Sequence, residues 1–201
     1  MTLKIYGLAQ SRAARVLWMA NELGIPHELV PTNMATDAKM PAYLKLNPNG
    51  RVPTIDDDGV ILWESMAINL YLAKKYGKDL APKTPVEEAL ALQWSFWVMT
   101  EVEKSLLTAL FATHGIGGTP KDPEKVKASY EELRRPFGVL NQHLEGRKFL
   151  IADRFTVADL NVASVLQWVP MARLDLAPWP NLKKWLDGCL GREAATKARK
   201  A

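Results

Sequence analysis

One cysteine, Cys189, is too few for a disulfide within the chain, and no CxxC pair or Cys/His cluster is present. The three histidines, His27, His114 and His143, do not cluster in sequence, which argues against a metal site. No uninterrupted apolar run reaches about 18 residues, so no membrane-spanning helix is expected. Met1 to Gln10 has no basic flank followed by an apolar run and does not read as a signal peptide. The expected compartment is the cytoplasm. Glycine is concentrated in Gly115-Ile116-Gly117-Gly118, but this stretch follows a helical pattern and does not fit a phosphate loop.

What is present is an ordinary globular composition of 201 residues, 48% apolar and 24% charged. That length allows one large domain or two small ones. Seven tryptophans are present, and all but Trp18 and Trp63 lie beyond residue 90, so aromatic weight sits in the second half. The formal charge is +4. Residues 192–201 carry Arg192, Lys197, Arg199 and Lys200 against Glu193, which leaves the rest nearly balanced. Basicity confined to a short tail reads as a solvated end, and no nucleic-acid partner is expected.

Leu3-Lys4-Ile5-Tyr6 reads as a strand and Ala13 to Leu23 as a helix stopped by Gly24 and Pro26. His27 to Val30 reads as a second strand, parallel to the first. Pro41 to Leu46 is a short helix, and Asn47-Pro48-Asn49-Gly50 a turn. Val52 to Ile55 and Val60 to Trp63 flank Asp56-Asp57-Asp58-Gly59 as a hairpin. Ser65 is placed as the cap of the helix that follows. The order is βαβ then ββα. Residues 77–86 read as a linker, and only helices are expected after it, near 86–112, 123–145, 156–172 and 180–190. Asp122 before Pro123 and Thr156-Val157-Ala158-Asp159 read as helix caps.

Five pieces taken together and in order resemble the cytosolic glutathione S-transferases. They are Tyr6 to Val16 with Ser11 and Arg15; Asn47 to Pro53; the hairpin; Glu64-Ser65-Met66-Ala67-Ile68; and Phe155 to Leu160. Within that family the chain resembles bacterial, serine-type, theta- or beta-like members. The resemblance implies an α/β thioredoxin-like N-terminal domain over 1–76, which holds glutathione. An all-α helical bundle over 87–201 holds a small apolar electrophile where the domains meet. It also implies a homodimer, a detoxifying role, glutathione as co-substrate and no metal.

By residue, the resemblance implies that Pro53 is cis and that Val52 offers its main chain to the cysteinyl part of glutathione. The bare sequence reads that bond as trans. Ser65 takes the γ-glutamyl carboxylate, with Glu64 near its ammonium. Arg51 approaches the glycyl carboxylate, or is a solvated turn residue. Ser11 is the hydroxyl that stabilises the thiolate, although a serine there also reads as a helix cap. Tyr6 is its rival, or a strand aromatic packed on the core. Arg15 buttresses the first helix. Trp97, Thr100 and Trp168 are pocket candidates, although aromatics at this spacing are also core. Glu101 is a candidate for reaching the partner subunit's glutathione.

The same resemblance leaves three other activities open. They are a glutathione-dependent peroxidase or thiol–disulfide reductase, an isomerase or dehalogenase, and a non-catalytic glutathione-binding protein.

Overall fold

The structure, a computed structural model, describes residues 2–118 and 120–201; Met1, where the reading of the N-terminus starts, lies outside them. The chain forms two compact units. The first runs to Pro82 and takes up Gly191–Ala201, and the second is Lys83–Leu190.

The first unit is built on four strands. Strand β1 (Leu3–Gly7) alternates buried Leu3, Ile5 and Gly7 with exposed Lys4 and half-buried Tyr6, the pattern of a sheet with one face on the core. Helix α1 (Ala13–Leu23) follows and ends at Gly24 in the left-handed conformation, where glycine is unhindered. Strand β2 (His27–Pro31) pairs parallel with β1, Ile5 against Leu29. After the short helix α2 (Pro41–Leu44) come β3 (Thr54–Asp57) and β4 (Val60–Trp63). The sheet order is β2-β1-β3-β4, with β3 antiparallel to both neighbours. This is the thioredoxin-like order. Asp57 pairs with Val60, so the hairpin loop is Asp58-Gly59 alone, both at positive φ. That is the two-residue turn whose twist matches the strands.

Helix α3 (Ser65–Tyr76) closes the unit and packs on α1. Its far end is anchored on Asp57, which is 2% exposed. Tyr71 and Tyr76 hydroxyls and the Lys75 ammonium all donate to the Asp57 carboxylate, at 2.8, 2.9 and 2.8 Å.

Among its described residues the second unit has helices and loops but no strand. Its helices are α4 (Pro85–Trp97), α5 (Glu103–His114), α6 (Pro123–His143), α7 (Val157–Leu166), α8 (Trp168–Met171) and α9 (Pro180–Leu190). The one helix expected near 86–112 is interrupted by a π-helical turn at Val98–Val102, which separates α4 from α5. Asp122 caps α6 by accepting from Lys125 N at 3.0 Å. At the start of α7 the Asp159 carboxylate accepts from Thr156 N and Oγ1, Leu150 N and Trp185 Nε1, all within 2.9–3.0 Å. Burial pushes the Asp159 carboxyl up, and these donors oppose it.

Helix α10 (Glu193–Lys200) lies past the last helix expected, near 180–190, and belongs to the first compact unit, while its Lys197, Arg199 and Lys200 stay exposed. It packs on α1, with Ala195 and Ala198 each 1% exposed. Arg192 donates bidentately to Glu22 at 2.6 and 2.7 Å, and Glu22 also accepts from Trp18 Nε1 at 2.9 Å. Two small buried residues and one forked ion pair fix a segment that its net charge alone would leave in water.

Candidate functional site

Ser11, Tyr6 and Val52 come together at the C-terminal end of β1. Gly7 has φ of 152° there, and a side chain on it would meet Ala13 Cβ at 2.5 Å. The same point lies 3.4 Å from Ser11 Oγ and 3.5 Å from Val52 Cβ. Only glycine allows this close approach. The loop bearing Ser11 and the loop bearing Val52 therefore face each other across Gly7.

Ser11 is half-buried. Its hydroxyl donates to the Leu8 carbonyl at 2.7 Å and accepts from Ala13 N at 3.1 Å. The cap position of α1 itself belongs to Arg12, which makes no side-chain cap bond. Ser11 thus shapes the turn into α1, and its proton is committed locally to Leu8.

Tyr6 packs against the small buried cluster of Ala38, Tyr43 and Val52, with its ring edge-on to Tyr43 at 6.0 Å. This is the packing role that a strand aromatic suggests.

The Val52–Pro53 peptide is cis, as the resemblance implies and the bare sequence does not. The loop around it is clamped by residues that sequence reasoning passed over. The Tyr43 hydroxyl and Asn47 Nδ2 both donate to the Arg51 carbonyl, at 2.8 and 2.9 Å. Asn47 Nδ2 also donates to Thr54 Oγ1 at 3.2 Å, and the Thr54 and Tyr43 hydroxyls lie 2.8 Å apart. Burial pushes the Tyr43 phenol up, so it remains a donor at neutral pH. Asn47 is only 2% exposed, a strong constraint that its appearance in a turn motif conceals. Between these clamps the main chain of Val52 makes no hydrogen bond with any described residue, although Val52 is 7% exposed. A main-chain N–H and C=O in this state are free to pair with an incoming group.

Arg51 is exposed, and its guanidinium has no partner among the described residues. Lys39 reaches the same turn and donates to the Gly50 carbonyl at 2.5 Å. Sequence reasoning missed this second cation at the turn that carries Arg51. Gly50 lies at φ of 57°, and Lys39 Nζ packs close to it.

Ser65 does not cap α3, which corrects the reading of it as the N-cap. The cap is Glu64, at φ of 71°, and it makes no side-chain cap bond. A non-glycine residue held there costs on the order of 1–3 kcal/mol, a strain found at functional sites. The turn presents Ser65 as the first helical residue, 4% exposed. Its oxygen accepts from Arg15 Nη1 at 3.3 Å, and Arg15 is itself fully buried in α1. The Glu64 carboxylate is exposed and has no partner among the described residues.

The candidates of the second unit are not gathered in the same way. Trp97 and Trp168 are half-buried, and Trp97 stands edge-on to Trp94 at 5.0 Å. Thr100 is exposed, and its hydroxyl bonds back to Phe96 and Trp97 carbonyls. With Glu101 it lines a surface groove of about 440 Å³ between α5 and α6 that also holds Lys104, Lys125 and Glu132. Neither Trp97 nor Trp168 lines that groove. Among the described residues no group of three or more His, Cys, Asp or Glu could hold a metal ion, and no helix is long and apolar enough to cross a membrane.

Residues 11–75 match the family model for the glutathione S-transferase N-terminal domain, and residues 91–193 match the model for its C-terminal domain. The chain is 35% identical to glutathione S-transferase 3 of Zea mays, over 97% of its own length and 92% of that protein. It is 32% identical to glutathione S-transferase D7 of Drosophila melanogaster, over 92% and 82%. Among solved structures it resembles glutathione S-transferase-I bound with the ligand lactoylglutathione. There the TM-score is 0.90 at 30% identity, and the match covers 100% of this chain and 99% of that one.

Proposed function

The chain belongs to the glutathione S-transferase family, and we propose that it binds glutathione in its first unit and activates the thiol for attack on a small apolar electrophile. The observation that carries this reading is the open main chain of Val52, buried beside a cis proline. The cysteinyl part of glutathione pairs with it as a strand pairs with a sheet edge. Ser65 and the start of α3 take the γ-glutamyl carboxylate, since a helix N-terminus offers free N–H groups and a partial positive charge. Glu64 faces the ammonium. Arg51, with Lys39, faces the glycyl carboxylate. The ligand lactoylglutathione in the related solved structure is of the same chemical kind.

Ser11 is the thiolate's donor in this reading, which places the chain with the serine-type members. A free thiol has a pKa of about 8.5, so little of it is thiolate at pH 7. One hydrogen bond to an ionised acceptor is worth roughly 1.5–3 kcal/mol, which lowers a thiol pKa by about one to two. When the ligand binds, the Ser11 hydroxyl turns from the Leu8 carbonyl to the sulfur. The thiol proton leaves to solvent. The thiolate then forms a carbon–sulfur bond as the leaving group departs with its electron pair. Tyr6, packed against Tyr43, is the less suited donor.

The electrophile belongs to the helical unit, with Trp97, Thr100 and Trp168 as its candidate contacts. The protein works as a cytoplasmic homodimer, and Glu101 reaches the partner's ligand. Initial rates with glutathione and an aryl halide test the reaction class. Thioether formation is expected. Turnover confined to mixed disulfides, with none on the aryl halide, would instead make the protein a reductase.

A further inference from the structure

Arg15 is fully buried, yet it is tied to α3 at two points. Nη1 donates to Ser65 Oγ at 3.3 Å, and its main-chain carbonyl accepts from Asn69 Nδ2, one turn further along α3, at 3.4 Å. A guanidinium has donors and no acceptor. The Ser65 oxygen must therefore accept from Arg15, and its own hydrogen has to point elsewhere. No described residue takes that hydrogen. A hydroxyl 4% exposed, fixed as an acceptor from behind and unused as a donor in front, is set to donate to an acceptor that comes from outside the chain.

We infer that Arg15 is a positioning residue that makes the α3 site select a carboxylate, an inference that rests on glutathione being the ligand. It fixes the direction in which Ser65 donates, because a hydroxyl that accepts from a guanidinium turns its own hydrogen away. A hydrogen aimed outward in this way favours an anion over a neutral group of the same shape. A purely structural tie between α1 and α3 needs no such aim. Any well-packed side chain joins two helices, and its loss loosens the site for every ligand alike.

The test is calorimetric titration of the folded protein with glutathione and with an analogue in which the γ-glutamyl α-carboxylate is replaced by hydrogen. The wild type is expected to prefer glutathione by about tenfold to a hundredfold, the worth of a charge-assisted hydrogen bond. Arg15→Met should remove most of that preference, and Arg15→Lys, which keeps a donor, should retain more of it. Ser65→Ala should also remove it, and the double variant should lose little more than the worse single one. Equal weakening of both ligands in Arg15→Met, with the preference intact, would overturn the inference and leave Arg15 a structural tie. If Arg15→Met does not fold, Arg15→Lys decides: a preference reduced by about threefold supports the inference, and an unchanged one overturns it. A wild type that binds both ligands equally would sink the inference and leave the glutathione reading standing. A wild type that binds neither would sink both.

Discussion

Two helices begin on a hydroxyl residue with an acidic residue close by, and the two starts are chemically opposite. At α7 the Thr156 and Asp159 side chains close on each other, and the Asp159 carboxylate is filled by donors from Thr156, Leu150 and Trp185. Nothing there is left for a ligand. At α3 the acidic Glu64 turns outward at positive φ, and Ser65 accepts one bond from behind while donating none. The difference is not residue type. It is whether the polar groups are satisfied inside the fold. A closed start contributes stability, and an open one can take a ligand.

The largest expected effect lies on the closed side. Asp159→Ala leaves four buried bonds without their acceptor, so urea unfolding should show a loss of about 2–4 kcal/mol. A loss under about 1 kcal/mol would mean that the α7 start is not the locked element described here.

Ser65→Ala is the matching change on the open side. Stability should fall by about 1–2 kcal/mol, less than in Asp159→Ala because one buried donor and not four loses its acceptor, while glutathione affinity falls about tenfold. If this variant unfolds as readily as Asp159→Ala and keeps its affinity, the two starts are alike and the comparison fails.

The smallest effect concerns the far end of α3. Burial tends to raise the Asp57 carboxyl, but donation from Lys75, Tyr71 and Tyr76 outweighs it and holds the group below its ordinary value. A carboxylate depressed in the folded state contributes stability above its unfolded pKa and loses that contribution as pH falls through the folded one. The stability gap between the wild type and Asp57→Asn should therefore be full at neutral pH and shrink below about pH 4. A gap that widens on acidification would show that the sign is wrong.

These contrasts also mark how far the sequence could be read. The strand, helix and hairpin order was legible because Leu3 to Tyr6 alternates, Gly24 stops α1 and Asp58-Gly59 makes a two-residue turn. The cap at Thr156 was legible for the same reason, since its Thr156–Asp159 bonds are local, while the donors from Leu150 and Trp185 were not. The open site was legible only through the order of its motifs. The spacing Glu64-Ser65 does not reveal that Glu64 adopts positive φ, so Ser65 reads as a cap. The cis bond before Pro53 has no local signature. Neither has the hydrogen-bond clamp from Tyr43 and Asn47, which joins residues separated by a turn. Helix α10 was hidden because its net charge dominates its composition, while the side chains it buries are those of two alanines, Ala195 and Ala198. The π-helical turn at Val98–Val102 leaves no compositional mark. Ser11 is the least legible of all, since its hydroxyl is spent on the local turn while its loop lies across Gly7 from that of Val52.

The central claim is that the first unit lowers the pKa of a bound thiol through Ser11. The direct measurement is the ultraviolet thiolate absorbance of bound glutathione across pH, in the wild type, Ser11→Ala and Tyr6→Phe. The account predicts a depressed thiol pKa in the wild type and Tyr6→Phe, rising by about one to two in Ser11→Ala. A pKa that rises in Tyr6→Phe and stays depressed in Ser11→Ala would contradict it.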